Sequence, residues 1–178
     1  RNLHADHPRG GRTNIIPGIA SGGRSEGVSR SQFKDVLENA VSTAVSGDFD
    51  EFSGVFPQVA GFRFEWSASG RARILNEDGT VKEPGSRVTR VVLDSGEVII
   101  GGGVVVPGDP ITVATPDFLA RGGDNTPYRG TTFTSLGVTY QQALVNYITF
   151  PADKNGLGGV IGADDYPEAG EGRITRLP

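Results

Sequence analysis

Residues 113–124 carry the side chains best suited to holding a small molecule: Val-Ala-Thr-Pro-Asp-Phe-Leu-Ala-Arg-Gly-Gly-Asp. Phe118 offers a flat apolar face, and Asp124 offers a carboxylate that can only accept hydrogen bonds. Between them, the Gly122-Gly123 pair permits positive φ and close approach of a ligand to the backbone. A molecule with an aromatic end and a hydroxylated end, such as a nucleoside, suits this pair of groups. The same pattern also describes a buried Phe beside a solvated Asp in a glycine turn, and the residues alone leave both readings open.

Other reactive chemistry is sparse. The chain has no Cys, which excludes disulfides and thiolate catalysis. His4 and His7 are spaced for a metal on a helix, but Pro8 and the Gly pair after it oppose a helix there. With no further His or Cys to complete a ligand set, no metal site is expected. The triplet Gly101-Gly102-Gly103 could cradle a phosphate, yet it lies in a strand pattern with no helix behind it. A bulge or sheet edge is the expectation there. No nucleophile motif is present, so no catalytic residue is assigned.

The surrounding elements follow from periodicity. Residues 1–27 are rich in Gly, Arg, Ser and Pro and read as an extended N-terminal arm, ahead of a domain over residues 28–178. A first helix is expected over residues 29–45. Ser29 and Gln32 have capping-box spacing, Phe33, Val36, Leu37, Ala40, Val41 and Ala44 form its apolar stripe, and Gly47 stops it. Phe62, Phe64 and Trp66 alternate with Arg63 and Glu65, the mark of a half-buried strand. Further strands are expected over residues 71–75, 87–93, 97–100, 104–106 and 111–115, with an irregular stretch over 125–134. A second helix over 139–149 would bury Tyr140, Ala143, Leu144, Tyr147 and Ile148, ending at Pro151. Without βαβ alternation, this is an α+β fold: a largely antiparallel or mixed sheet packed with two main helices.

Composition narrows the partners. With 17 Lys and Arg against 21 Asp and Glu, and no basic patch, a nucleic-acid partner is not expected. No apolar run is long enough for a membrane span, and the start lacks a signal-peptide pattern. The chain opens at Arg1 and contains no Met, which leads to the expectation of a processed or trimmed product with sequence missing upstream.

Four landmarks occur in one order. They are Phe33-Lys34-Asp35-Val36-Leu37-Glu38-Asn39-Ala40-Val41, Phe56-Pro57-Gln58-Val59-Ala60-Gly61-Phe62, Asp117-Phe118-Leu119-Ala120-Arg121-Gly122-Gly123-Asp124 and Glu171-Gly172-Arg173-Ile174. Over roughly residues 28–174 the chain resembles the C-terminal, substrate-binding domain of the 5′-nucleotidase and UDP-sugar hydrolase family. The resemblance implies a division of labour. A separate N-terminal metallophosphoesterase domain binds two metal ions and cleaves the phosphate ester, while the C-terminal domain presents the nucleoside. By the same resemblance, Phe118 stacks on the base and Asp124 accepts hydrogen bonds from ribose hydroxyls; Gly122 and Gly123, between them, are expected to belong to the same substrate-binding loop.

The chain also departs from the family pattern. Where relatives carry a second aromatic in a Leu-Pro-Phe-type loop, Ile16-Pro17-Gly18 has none. The upstream Asn-Gly-Gly-Gly-Ile-Arg segment has only a distant echo in Ser21-Gly22-Gly23-Arg24, and the His signatures of the metal domain are absent. The resemblance therefore implies a nucleoside- or nucleotide-binding domain of a hydrolase of nucleotide catabolism, with no cofactor of its own. Divalent metals would come only through the separate catalytic domain, and the location would be extracellular or periplasmic. The alternative is a repurposed extracellular structural or self-assembling module that uses the arm at residues 1–27 for strand complementation.

Overall fold

The computed structural model describes residues 13–15, 21–42, 56–128, 131–154, 156–162, 166 and 170–178. Strands β1 (Thr13–Ile15) and β2 (Ser21–Val28) precede helix α1 (Arg30–Ala40). Then come β3 (Phe62–Ser67), the hairpin of β4 (Ile74–Leu75) and β5 (Val81–Glu83), β6 (Val88–Leu93), β7 (Val98–Gly101), β8 (Val104–Val105) and β9 (Ile111–Pro116). A one-turn helix, α2 (Asp117–Ala120), leads to β10 (Phe133–Thr139), helix α3 (Tyr140–Thr149) and β11 (Ile174–Leu177).

Two main sheets result. One has the order β1-β9-β2-β10, with β1 parallel to β9 and the other pairs antiparallel. The second has the order β11-β3-β6-β7-β8, antiparallel except where β11 runs alongside β3. This is the expected α+β arrangement of mixed sheets with few helices.

Helix α1 joins the two sheets. Its Phe33, Val36 and Leu37 are buried in one core with Phe62, Phe64 and Trp66 of β3 and Ile111 and Val113 of β9. Phe33 meets Phe62 edge to face, with ring centroids 5.2 Å apart. The Ser29 hydroxyl caps the helix by accepting from the Gln32 amide. Gln32 does not complete the expected capping box. Its side chain reaches instead to the Pro127 carbonyl at 2.9 Å and the Thr131 hydroxyl at 2.7 Å. The helix ends at Ala40, with Val41 as its C-cap, short of the expected limit; Ala44 and Gly47 lie outside the described residues. Ser29→Ala is expected to lower stability by about 1 kcal/mol, read by urea denaturation.

Buried polar contacts tie α1 to the strands. The Glu38 carboxylate is 1% exposed and accepts from the backbone N–H groups of Arg87 and Val88, each at 3.0 Å, and from Lys34 Nζ at 2.8 Å. Arg87 Nη1 donates back to the carbonyls of Val41 and Ser42, where the helix leaves acceptors without partners.

Sheet irregularities explain departures from strict alternation. Val88 and Val91 are an odd number of residues apart, yet both are buried, because a bulge at Thr89 changes the parity of β6 against β3. Gly102 and Gly103, at φ 56° and 78°, form the tight turn from β7 to the edge strand β8, so the glycine triplet serves a sheet edge.

Three expectations change. Residues 13–15 and 21–27 of the stretch read as an arm lie in strands of the chain's own sheet, β2 running on to Val28; Gly-Gly and Ser-Glu-Gly hide β2 from residue preference. Residues 133–139, read partly as irregular, form β10. Helix α3 lies where expected, but only Tyr147 of its stripe is buried, its hydroxyl 2.6 Å from that of Tyr166.

Candidate functional site

Strand β9 lies inside its sheet, between β1 and β2, and ends at Pro116. From there the chain makes the single turn of α2 and reverses at Gly122, whose φ of 90° suits glycine. A 3-10 turn over Gly123–Asn125 follows, with Asp124 at φ 50° and Asn125 at φ 55°. Asp and Asn enter this left-handed region more readily than most residues. The loop is therefore delivered by a rigid strand and shaped by consecutive positive-φ residues.

The two glycines have different duties. Gly122 supplies a backbone angle, whereas Gly123 supplies room: a Cβ there would overlap the edge of the Phe118 ring. Phe118 thus rests directly on the backbone of Gly123. Its side chain remains 49% exposed, which excludes the reading of a buried core Phe. Asp124, next in the chain, is also exposed, and among the described residues no partner holds its carboxylate. Phe118, Gly122, Gly123 and Asp124 are brought together in one turn.

The loop is anchored from behind. Asn39, at the C-terminal end of α1, donates through Nδ2 to the backbone carbonyl of Asp124 at 3.0 Å. Arg73 Nη1 donates to Asn39 Oδ1 at 2.5 Å and to the Asn125 carbonyl at 3.4 Å. Thr126 closes the turn by donating its N–H to the Gly123 carbonyl at 3.0 Å. At the front, the Arg121 guanidinium lies 5.0 Å from the centroid of the Phe133 ring on β10, a cation–π contact linking loop and sheet. Neither Asn39 nor Arg73 stands out in sequence. Asn39 reads as one polar residue of a helix, and Arg73 lies 51 residues from Asp124 in the chain.

Behind the loop lies a cavity of about 20 Å³ lined by Asn39, Thr115, Leu119 and Tyr128, among others. The Thr115 and Tyr128 hydroxyls are buried without a hydrogen-bond partner among the described residues. Burial pushes the Tyr128 phenol well above its usual range, so it stays neutral. A larger hollow of about 400 Å³ lies on the far sheet, lined by Arg63, Glu65, Arg90 and Asp94, and includes no residue of the Phe118–Asp124 loop. Its size does not outweigh the chemistry of the loop, because its charges are mixed and it has no exposed aromatic face.

Two expectations cannot be followed further. Ile16-Pro17-Gly18, the counterpart of the family's second aromatic loop, and both His residues lie outside the described residues. Among the described residues, no three His, Cys, Asp or Glu side chains group as a metal site, and no helix is long and apolar enough to cross a membrane.

With this geometry in view, known proteins supply the family. Residues 28–131 match the profile of the 5′-nucleotidase C-terminal domain, a span that includes α1, β3 and the whole Phe118–Asp124 loop. A 5′-nucleotidase precursor from Thermus thermophilus shares the fold with a TM-score of 0.58 at 21% identity, over 89% of this chain and 25% of that one. A putative 5′-nucleotidase from Staphylococcus aureus, solved in complex with alpha-ketoglutarate, gives 0.51 at 17% identity over 76% of this chain and 25% of that one. The chain thus spans a quarter of the length of each of these structures. No curated protein matches it. At these identities the structures speak for the fold alone, and the family rests on the profile match and the residues it spans: the chain belongs to the 5′-nucleotidase C-terminal domain family.

Proposed function

We propose that this chain is the nucleoside- or nucleotide-binding domain of a 5′-nucleotidase-like phosphohydrolase, with the turn from Phe118 to Asp124 as its binding site. The observation that carries the reading is the pairing on one anchored turn of a half-exposed aromatic ring and an exposed carboxylate. The free face of Phe118 stacks on the base, and Asp124 accepts hydrogen bonds from the ribose hydroxyls. Gly122 and Gly123 set the spacing between these two groups.

Hydrolysis belongs elsewhere in this reading. The metals and the phosphate chemistry come, in this reading, from a separate metallophosphoesterase domain, the division of labour that the resemblance implies. An extracellular or periplasmic location is in keeping with the Thermus thermophilus relative being a precursor. The alternative of a self-assembling module finds no support in residues 13–15 and 21–28, whose hydrogen bonds go to β9 and β10 of the same chain.

The ribose contact gives a direct test. Calorimetric titration is expected to show adenosine binding about tenfold more tightly than adenine, in line with roughly 1.5 kcal/mol for a hydrogen bond to a charged group. Asp124→Asn is expected to remove most of that difference. Equal affinities for adenosine and adenine in the wild-type chain would count against the assignment of Asp124.

A further inference from the structure

We infer that Asn39 and Arg73 are positioning residues for this site: a two-residue brace that holds Asp124 and Asn125 in left-handed backbone conformations and so aims the Asp124 carboxylate. The inference rests on the proposed function and extends it to residues that touch no ligand. Asp124 and Asn125, at φ 50° and 55°, are the only non-glycine residues with positive φ among those described, and they are adjacent. L-residues adopt such angles at an energetic cost, and consecutive ones persist only where surrounding contacts impose them.

The contacts that impose them here converge on Asn39. This side chain is 8% exposed and uses both ends of its amide, Nδ2 toward the Asp124 carbonyl and Oδ1 toward Arg73 Nη1. Arg73 reaches the Asn125 carbonyl with the same nitrogen, closing a loop of contacts from α1 through Arg73 to the turn. Both bonds to the turn end on backbone carbonyls, so they set the path of the chain and leave the Asp124 carboxylate unengaged. The geometry is selective. The Asn39 amide has both a donor and an acceptor, and Arg73 Nη1 serves two acceptors, Asn39 Oδ1 and the Asn125 carbonyl. Asn39 also sits on the last turn of a helix anchored in the core by Phe33, Val36 and Leu37, so the brace has a rigid base.

Arg73→Gln tests the brace without cutting into the core, and Asn125→Gly tests the strain it opposes. In the free 178-residue chain, Arg73→Gln is expected to shift the backbone amide resonances of residues 124–126 and speed their hydrogen exchange, while amides of β3 and β6 stay in place. Adenosine affinity is expected to fall about fivefold or more. Adding Asn125→Gly is expected to restore most of that affinity, because glycine takes positive φ without help. Unmoved 124–126 amides in Arg73→Gln overturn the brace, whatever happens to adenosine. Moved amides with unchanged adenosine affinity overturn its role in aiming the site. Failure of the wild-type chain to bind adenosine overturns the proposed function and this aiming role together, while the amide shifts still decide the brace itself.

Discussion

Glu38→Ala is expected to destabilise the protein by about 3–5 kcal/mol, the usual range when one partner of a buried charged network is removed. The carboxylate is 1% exposed and accepts from three donors: the N–H groups of Arg87 and Val88 and the Lys34 ammonium. Alanine leaves both amides buried without acceptors, each costing about 1–3 kcal/mol. Gly85 backs directly onto the carboxylate, so the Glu38 side chain fills the space that a Cβ at position 85 would need. Glu38→Gln keeps one carbonyl acceptor but turns an NH₂ donor toward the remaining donors, so an intermediate loss is expected. Urea denaturation reads both. A loss below about 1 kcal/mol for Glu38→Ala, the size of an ordinary hydrogen bond, would mean that this carboxylate is not the tie between α1 and β6.

Phe118→Ala is expected to weaken nucleoside binding by about 5- to 150-fold, the equivalent of roughly 1–3 kcal/mol for one base stacked on an aromatic ring. Its cost to stability should be small, since the ring is half exposed and rests mainly on Gly123. Gly123→Ala provides the complementary experiment. The new methyl overlaps the Phe118 ring and must push it off its seat, so binding should fall although the aromatic residue is intact. Gly122→Ala acts differently, by straining a backbone at φ 90°, and should lower stability as well as binding. Comparing affinity with denaturation midpoint across the three variants separates loss of the ring, displacement of the ring and strain in the turn.

How much of this is legible in the residues differs between fold and site. The α1 stripe and the alternating aromatics of β3 follow from helical and strand periodicity, and both sit in the core as expected. Strand β2 escapes detection because its glycines carry no burial pattern, and only pairing with β9 and β10 reveals it. The burial of Val88 with Val91 depends on a bulge, which period-two reasoning cannot see. In the site, Phe118 and the Gly122-Gly123 pair are visible as a local cluster. The reason for Gly123 is not, because the clash that requires glycine is with a side chain five residues earlier, across a turn. Asn39 and Arg73 are harder still. They join the loop through contacts 85 and 52 residues apart in the chain, and long-range partners of backbone carbonyls leave no local pattern.

Titration of the chain with adenosine, followed by NMR at the Phe118 ring and the Asp124 amide, tests the nucleoside site most directly. Saturable shifts concentrated at these two positions, and lost in Phe118→Ala, are the predicted result. No saturable shift at millimolar adenosine, or shifts centred on the Arg63–Arg90 face of the other sheet, would contradict it.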